Sequence, residues 1–385
     1  MSNSFWKNVM DLVDKPDDKK VDNEKLFDKN ISGVKVFNML KVQAGLRNYQ
    51  GKFIDSITGD EKYNFEYGYL GVLNNGFYYA QKGYEEKSWG KFNLDGSSVW
   101  VKDEPIHHEL FISENNTIFT FIRETKMYKG RDVDFDVIVE YSQDGKEVSR
   151  FSMYENLKDF KKYHGMLELD FPKIKLLPFI DFAKRKRESP WGGHYCYYHL
   201  NSLNIICENK NSSDVRFQKG NWLISCRHGS MIFILDKDTK KVVWSRTQKQ
   251  IKDEIQGQHT PTFLENGNIL IFDNGRYRGL SRVIELNPIT NKIEWEYKCE
   301  DGKNKFFTLS QGLCQKLENG NILITQSENG RCFEVDYKTK QIVWEFYHPE
   351  IQSEKNSKYK SNYGKRQWIY RMKHFNYSEI GGNKK

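Results

Sequence analysis

The sequence predicts an all-β fold, a β-propeller of four-stranded antiparallel blades around a central channel. Three observations carry that prediction. A phrase of the type Asn-Gly-Asn-Ile-Leu-Ile recurs, a second phrase ending in Trp follows it, and aromatic residues, which favour strands, make up 15% of the chain.

The first phrase appears as Lys219-Gly-Asn-Trp-Leu-Ile-Ser225, Glu265-Asn-Gly-Asn-Ile-Leu-Ile-Phe272 and Glu318-Asn-Gly-Asn-Ile-Leu-Ile-Thr325. Gly220 and Gly267 are 47 residues apart, and Gly267 and Gly320 are 53 apart. The second phrase ends at Trp244, Trp295 and Trp344. A weaker copy runs through the first half: Asn74-Asn-Gly-Phe-Tyr-Tyr79 leads to Trp100, and Glu114-Asn-Asn-Thr-Ile-Phe-Thr120 leads to Val148, where Trp is missing.

Each repeat reads as two hairpins. Asn-Gly supplies positive φ for a turn, the apolar run after it is an inner strand, and the Val-x-Trp phrase is an outer one. Such a sheet cannot bury both faces alone, so neighbours must stack. About fifty residues per four strands fits a propeller blade. Five units start near Gly68, His108, His199, His259 and Thr308. A sixth, built from residues 30–60 and 365–385, would join the termini and make the ring six-bladed. Rings of five or seven blades and an ordinary β-sandwich are the alternatives. Residues 1–30 read as an N-terminal extension and residues 31–385 as the propeller. Residues 152–195 read as an insertion, with a helical look at Asn156–Tyr163 and a loop at Ser189–His194.

Bulk properties narrow the function. The 385-residue chain is ample for a core. A formal charge of +8 favours anionic partners through the summed field, but no basic stripe interleaved with aromatics points to nucleic acid. The six cysteines form no Cys-x-x-Cys pair and read as small buried hydrophobes. No secretory signal and no membrane-spanning run is visible, so the expected compartment is the cytoplasm. Nothing sets an oligomeric state.

Chemistry is expected at the channel mouth. His108, His199 and His259 stand near the start of the first strand of their repeats, and in a propeller those strands line the axis. His228 follows an inner strand beside Arg227. Imidazoles there can serve as base, nucleophile or metal ligand. Arg227 adds a planar charged fork suited to an oxyanion, and Asn201 a neutral donor. Period-two alternation sends His107 away from His108, and His228 away from Arg227, so only one of each pair should join the pocket. The Gln258-His-Thr-Pro261 phrase repeats nothing needed for packing. Tyr277, Arg278 and Arg282 are further candidates for the same mouth. Asp273-Asn-Gly275 reads as a turn, and His164, His194, His348 and His374 as loop or structural residues.

At these residues the chain resembles the arylsulfotransferase family of bacterial type. The carrying phrases are Trp100 with His107-His-Glu109, Asp136–Gly145, His199-Leu-Asn-Ser202, Gly220–Arg227, Gly257-Gln-His-Thr-Pro-Thr262, Asn266–Gly275 and Ser281–Leu286. The resemblance spans roughly residues 32–347. It implies a six-bladed ring that moves a sulfuryl group from an aryl sulfate to a phenol, without the nucleotide donor PAPS, through a sulfated histidine. By motif match the nucleophile is His259. His199, Asn201 and Arg227 match positions around the sulfuryl group, and His108 matches an earlier histidine. The implied partners are a small-molecule aryl sulfate and a phenol, with no cofactor and no metal. Family members are commonly exported, which makes a periplasmic or extracellular site the alternative to the cytoplasm. Two other functions compete: a non-catalytic propeller that binds a ligand or protein, and a metal-dependent enzyme with His108, His199 and His259 as ligands.

Overall fold

A computed structural model describes residues 33–83, 87–161, 195–247, 255–276, 278–300, 305–351 and 366–380. The N-terminal extension, most of the insertion, and with them His164 and His194, lie outside these residues. Six antiparallel sheets form a six-bladed propeller. From the axis outward, blade 2 runs Leu70–Asn74, Phe77–Gln81, Ser88–Asn93, Ser98–Asp103, and blade 3 runs His107–Ile112, Ile118–Tyr128, Arg131–Tyr141, Glu147–Ser152. Blade 4 is Leu200–Ile205, Trp222–Cys226, Met231–Leu235, Val242–Arg246. Blade 5 is His259–Phe263, Ile269–Asp273, Arg282–Asn287, Lys292–Tyr297, and blade 6 is Leu313–Lys316, Ile322–Gln326, Arg331–Val335, Ile342–Tyr347.

Blade 1 closes the ring with both ends of the chain. Its innermost strand is Met372–Phe375, paired antiparallel with Leu46–Tyr49, and Lys52–Asp55 and Glu61–Asn64 complete it. Residues 33–36 do not join this shared blade. Gly33–Val36 adds a fifth strand to the outside of blade 6, opposite Val36↔Trp344 and Gly33↔Tyr347.

The repeated apolar run is continuous because both faces of each blade are buried. Six apolar clusters fill the six seams. Ile269 and Ile271 point into the seam between blades 4 and 5, while Leu270 and Phe272 point into the seam between blades 5 and 6. The glycine of the phrase closes the hairpin: Gly267 has φ 81° and donates its N–H to Leu264 O at 2.8 Å. The flanking asparagines have a second task. Asn266 and Asn268 donate to the buried Glu285, and Asn319 and Asn321 donate to the buried Glu334.

The tryptophans stitch neighbouring blades. The indole N–H of Trp100 donates to Gln143 O, that of Trp244 to Pro288 O, that of Trp295 to Tyr337 O and that of Trp344 to Ser56 O, at 2.6–3.0 Å. Blade 3 has Ser149 at this register position, opposite Glu140. Its seam with blade 4 is filled instead by Phe151, Trp222 and the short helix α1 (Leu157–Lys161), whose Phe160 packs edge-on against Phe233 at 5.1 Å.

Candidate functional site

The innermost strands of blades 3, 4 and 5 do not keep a regular register. Pairing slips between Thr120 and Phe121, between Leu200 and Ser202, and between His259 and Thr262. His108, His199 and Thr260 take left-handed φ values of 60°, 56° and 44°. A bulge leaves residues unpaired and re-aims their side chains. The alternation expected for His107 and His108 therefore fails. Their Nδ1 atoms are 2.9 Å apart and both rings are buried. One nitrogen donates and the other accepts. His228 lies in the turn that follows the second strand of blade 4, Trp222–Cys226, so strand alternation does not apply to it. Its ring lies 4.9 Å from that of His199, which in turn lies 4.6 Å from His108.

The result is a row of imidazoles, His107, His108, His199 and His228, spanning blades 3 and 4. Asp136 anchors one end, with Oδ1 3.4 Å from His107 Nε2. Burial pushes the Asp136 carboxyl up to about 6. Burial holds His107, His108 and His199 well below the usual imidazole range, followed by Arg123 for His107 and by the adjoining imidazoles for His108 and His199. At neutral pH these rings are uncharged, and the permanent positive charge belongs to Arg123, Arg227 and Arg371.

His259 opens the innermost strand of blade 5. Its Nδ1 is 2.7 Å from Asn274 Oδ1. The other end of that amide is fixed: its Nδ2 donates to Thr308 O at 3.1 Å and to Gln311 O at 2.8 Å. Carbonyl oxygens only accept, so the NH2 must face them and the oxygen must face His259. His259 Nδ1 is thus the protonated nitrogen, and Nε2 keeps its lone pair. Burial, then Arg227, pulls this imidazole down to about 3. A buried, neutral ring with a fixed tautomer is suited to act as a nucleophile. From the sequence Asn274 reads only as a turn residue, because Asp273 and Gly275 on either side suit a turn.

Asn201 and Gln258 set the position of that ring. Asn201 Nδ2 donates one of its two hydrogens to Gln258 O at 2.7 Å, on the backbone next to His259. The Gln258 amide donates to Ser225 Oγ, Cys226 O and Met231 O across the seam to blade 4. The Gln-His phrase is therefore a packing element as well, contrary to its sequence reading. Arg227 continues the second strand of blade 4, with its N–H donating to His199 O at 3.1 Å, and its charge bears on His199, His259 and Glu328. Its neighbours thus place His108, His199, Asn201, Arg227 and His259 along one stretch of the axis.

Sequence reasoning missed Arg371. This buried residue precedes the closing strand, donates to both oxygens of Glu109 at 3.3 Å and to Asn201 O at 2.6 Å, and lowers His108 and His259 electrostatically. Lys373 Nζ is 3.9 Å from the same glutamate. The only signal was the cationic run Arg371-Met-Lys373 at a position assigned to ring closure.

Other candidates fall elsewhere. Arg278 and Arg282 both hold Asp273 Oδ2, at 2.8 and 2.7 Å. With Glu296, Lys298 and Lys305 they line a separate cleft of about 390 Å³ that none of the histidines reaches. Tyr277 lies outside the described residues. His348 and His374 are buried structural residues of the closing seam, held down to about 4 by burial. Ligand-type atoms close enough for a metal ion do not include His108 or His259; among the described residues they belong to Cys196, His199 and His228. No described helix is long and apolar enough to cross a membrane.

Comparison with solved structures finds distant similarities. A protein of unknown function from Bacteroides caccae is 13% identical, covers 86% of this chain and 98% of its own, and superposes with a TM-score of 0.49. The β-propeller domain of Cps50 (Swd1) from Myceliophteria thermophila is 10% identical, covers 82% and 90%, and has a TM-score of 0.42. A search of curated proteins gives no match. The family model described as arylsulfotransferase (ASST) matches residues 56–348, which include every histidine of the axial row. On that match over most of its length, the chain belongs to the arylsulfotransferase (ASST) family.

Proposed function

We infer that the protein is an aryl-sulfate sulfotransferase working through a sulfohistidine at His259. The observation that carries this reading is the His259–Asn274 pair: the amide is locked by two carbonyls, which leaves His259 Nε2 unprotonated. In the first half-reaction that lone pair attacks sulfur, the S–O bond to the aryl group breaks, and the phenolate leaves and takes up a proton. In the second, the oxygen of an acceptor phenol attacks the same sulfur, loses its proton, and releases His259.

Sulfuryl transfer spreads charge over the equatorial oxygens, so positioned donors lower the barrier. Arg227 supplies a permanent charge, and neutral His108 and His199 supply N–H groups without adding charge of their own. Asn201 acts through Gln258, holding the nucleophile's strand. No phosphate-binding loop is present in the sequence, which suits a donor without a nucleotide.

Mixing the protein with p-nitrophenyl sulfate should yield a peptide containing His259 heavier by one sulfuryl group, detected by mass spectrometry under non-acidic conditions. With phenol present, nitrophenol should be released catalytically. His259→Ala should lose both, with turnover down by at least about 10³-fold. Undiminished nitrophenol release by that variant would remove His259 from the reaction.

A further inference from the structure

Near the axis, where blades 3 and 4 meet, three ligand-type side chains come together. Cys196 Sγ lies 3.5 Å from His199 Nδ1. One ligand atom from each of Cys196, His199 and His228 falls within 4.8 Å of the others. In a tetrahedral zinc centre, Zn–S near 2.3 Å and Zn–N near 2.0–2.1 Å place sulfur and nitrogen about 3.5 Å apart. The Cys196–His199 pair already has that separation. It forms a Cys-x-x-His phrase, Cys196-Tyr-Tyr-His199, which a search for Cys-x-x-Cys passes over.

Two further features hold the set in place. Tyr195–Cys196 pairs in parallel with Val133–Asp134 of blade 3, so the thiol is borne on a strand. His228 Nδ1 lies 3.0 Å from Cys196 O and 3.2 Å from Tyr197 O. Both are acceptors, so Nδ1 donates and Nε2 is the nitrogen with a lone pair. Such an outer hydrogen bond is the usual device that orients a metal-binding imidazole.

We propose that Cys196, His199 and His228 bind a thiophilic divalent cation of the zinc class, with three protein ligands and one open position. The free set is a neutral thiol with neutral imidazoles, and binding releases the thiol proton to solvent as the Sγ–metal bond forms. The Asp136 carboxyl beside Cys196 favours the cation. Arg123 and Arg227 oppose it, which makes the site weaker than a closed four-ligand structural centre. His199 is common to this site and to the sulfuryl pocket, but cation binding does not depend on the sulfotransferase reading.

The test is cobalt(II) titrated into the metal-stripped full chain. A thiolate-to-cobalt band in the near ultraviolet and tetrahedral d–d bands should saturate at one equivalent and disappear on adding zinc. Cys196→Ser should abolish the thiolate band, and Cys196→Ser and His228→Ala should each weaken binding at least about 10- to 100-fold, the loss that even outer-shell changes cause. Cys207→Ser, outside the trio, should behave as wild type. Should Cys196→Ser lose its fold by circular dichroism, X-ray absorption of the zinc-loaded wild type decides, with one sulfur near about 2.3 Å and two nitrogens near about 2.0 Å expected. No thiolate band in the wild type, its survival in Cys196→Ser, or a zinc shell without sulfur overturns the proposal.

Discussion

The seam between blades 6 and 1 and the seam between blades 3 and 4 solve the same packing problem with different chemistry. At the first, Trp344 donates to Ser56 O, and Arg47 stacks 3.7 Å from the Trp344 ring while pairing with Glu334 in full burial. At the second, Ser149 replaces the tryptophan, and Phe151, Phe160 and Trp222 fill the gap. Where the repeat is obeyed, its residues are committed to joining blades. Where it lapses, other side chains fill the outer seam, while the row from His107 to His228 joins the same two blades at their axial ends.

The largest effects should come from emptying either seam. Glu334→Ala strands the buried Arg47 charge and should cost about 3–5 kcal/mol in urea unfolding. Phe160→Ala opens a cavity at the other seam and should cost a similar 3–5 kcal/mol or so. Ser149→Ala, at the exposed tryptophan-equivalent position, should stay within about 0.5 kcal/mol. A large loss from Ser149→Ala would break the comparison.

Next is Asn274→Ala. The lost tautomer lock should lower kcat by roughly 10- to 100-fold, or about 1.4–2.8 kcal/mol in the barrier, while the amide lost from Thr308 O and Gln311 O should cost about 1–3 kcal/mol in urea unfolding. Trp295→Phe keeps the ring but strands Tyr337 O, and should cost about 1 kcal/mol with transfer activity intact.

The smallest effect concerns pH and activity. His259 has its pKa at about 3, so kcat should show no acidic limb near 6.5. Stability behaves differently. The unfolded chain takes up protons near 6.5 that His259 refuses until about 3, and His348 and His374 until about 4. The unfolded state then binds more protons, so stability is full above about 6.5 and falls as pH drops through that window. Denaturation midpoints measured from pH 7 to 4 should decline accordingly.

The propeller was legible because its repeats encode both faces of each blade: Ile-Leu-Ile serves two seams, and Gly267 marks the turn. The axial set His108, His199, Arg227 and His259 was legible through blade register. Three things were not. The bulge in the innermost strand of blade 3 has no glycine to announce it, so alternation misplaced His107, and His228 lies in a turn where alternation does not hold. Asn274 sits in an Asp-Asn-Gly string that turn chemistry explains equally well. Arg371 precedes the closing strand, 170 residues from Asn201, and only ring closure makes them neighbours.

That closure has a consequence for biogenesis. Arg371 precedes Met372–Phe375, which is the final strand of the ring to leave the ribosome, yet its guanidinium holds Asn201 O and Glu109 on blades 4 and 3. A nascent chain with every other blade folded still lacks this cation beside its histidines. The axial cluster is therefore completed last, and on the proposed sulfotransferase reading a partly made molecule is kept from competence by topology alone.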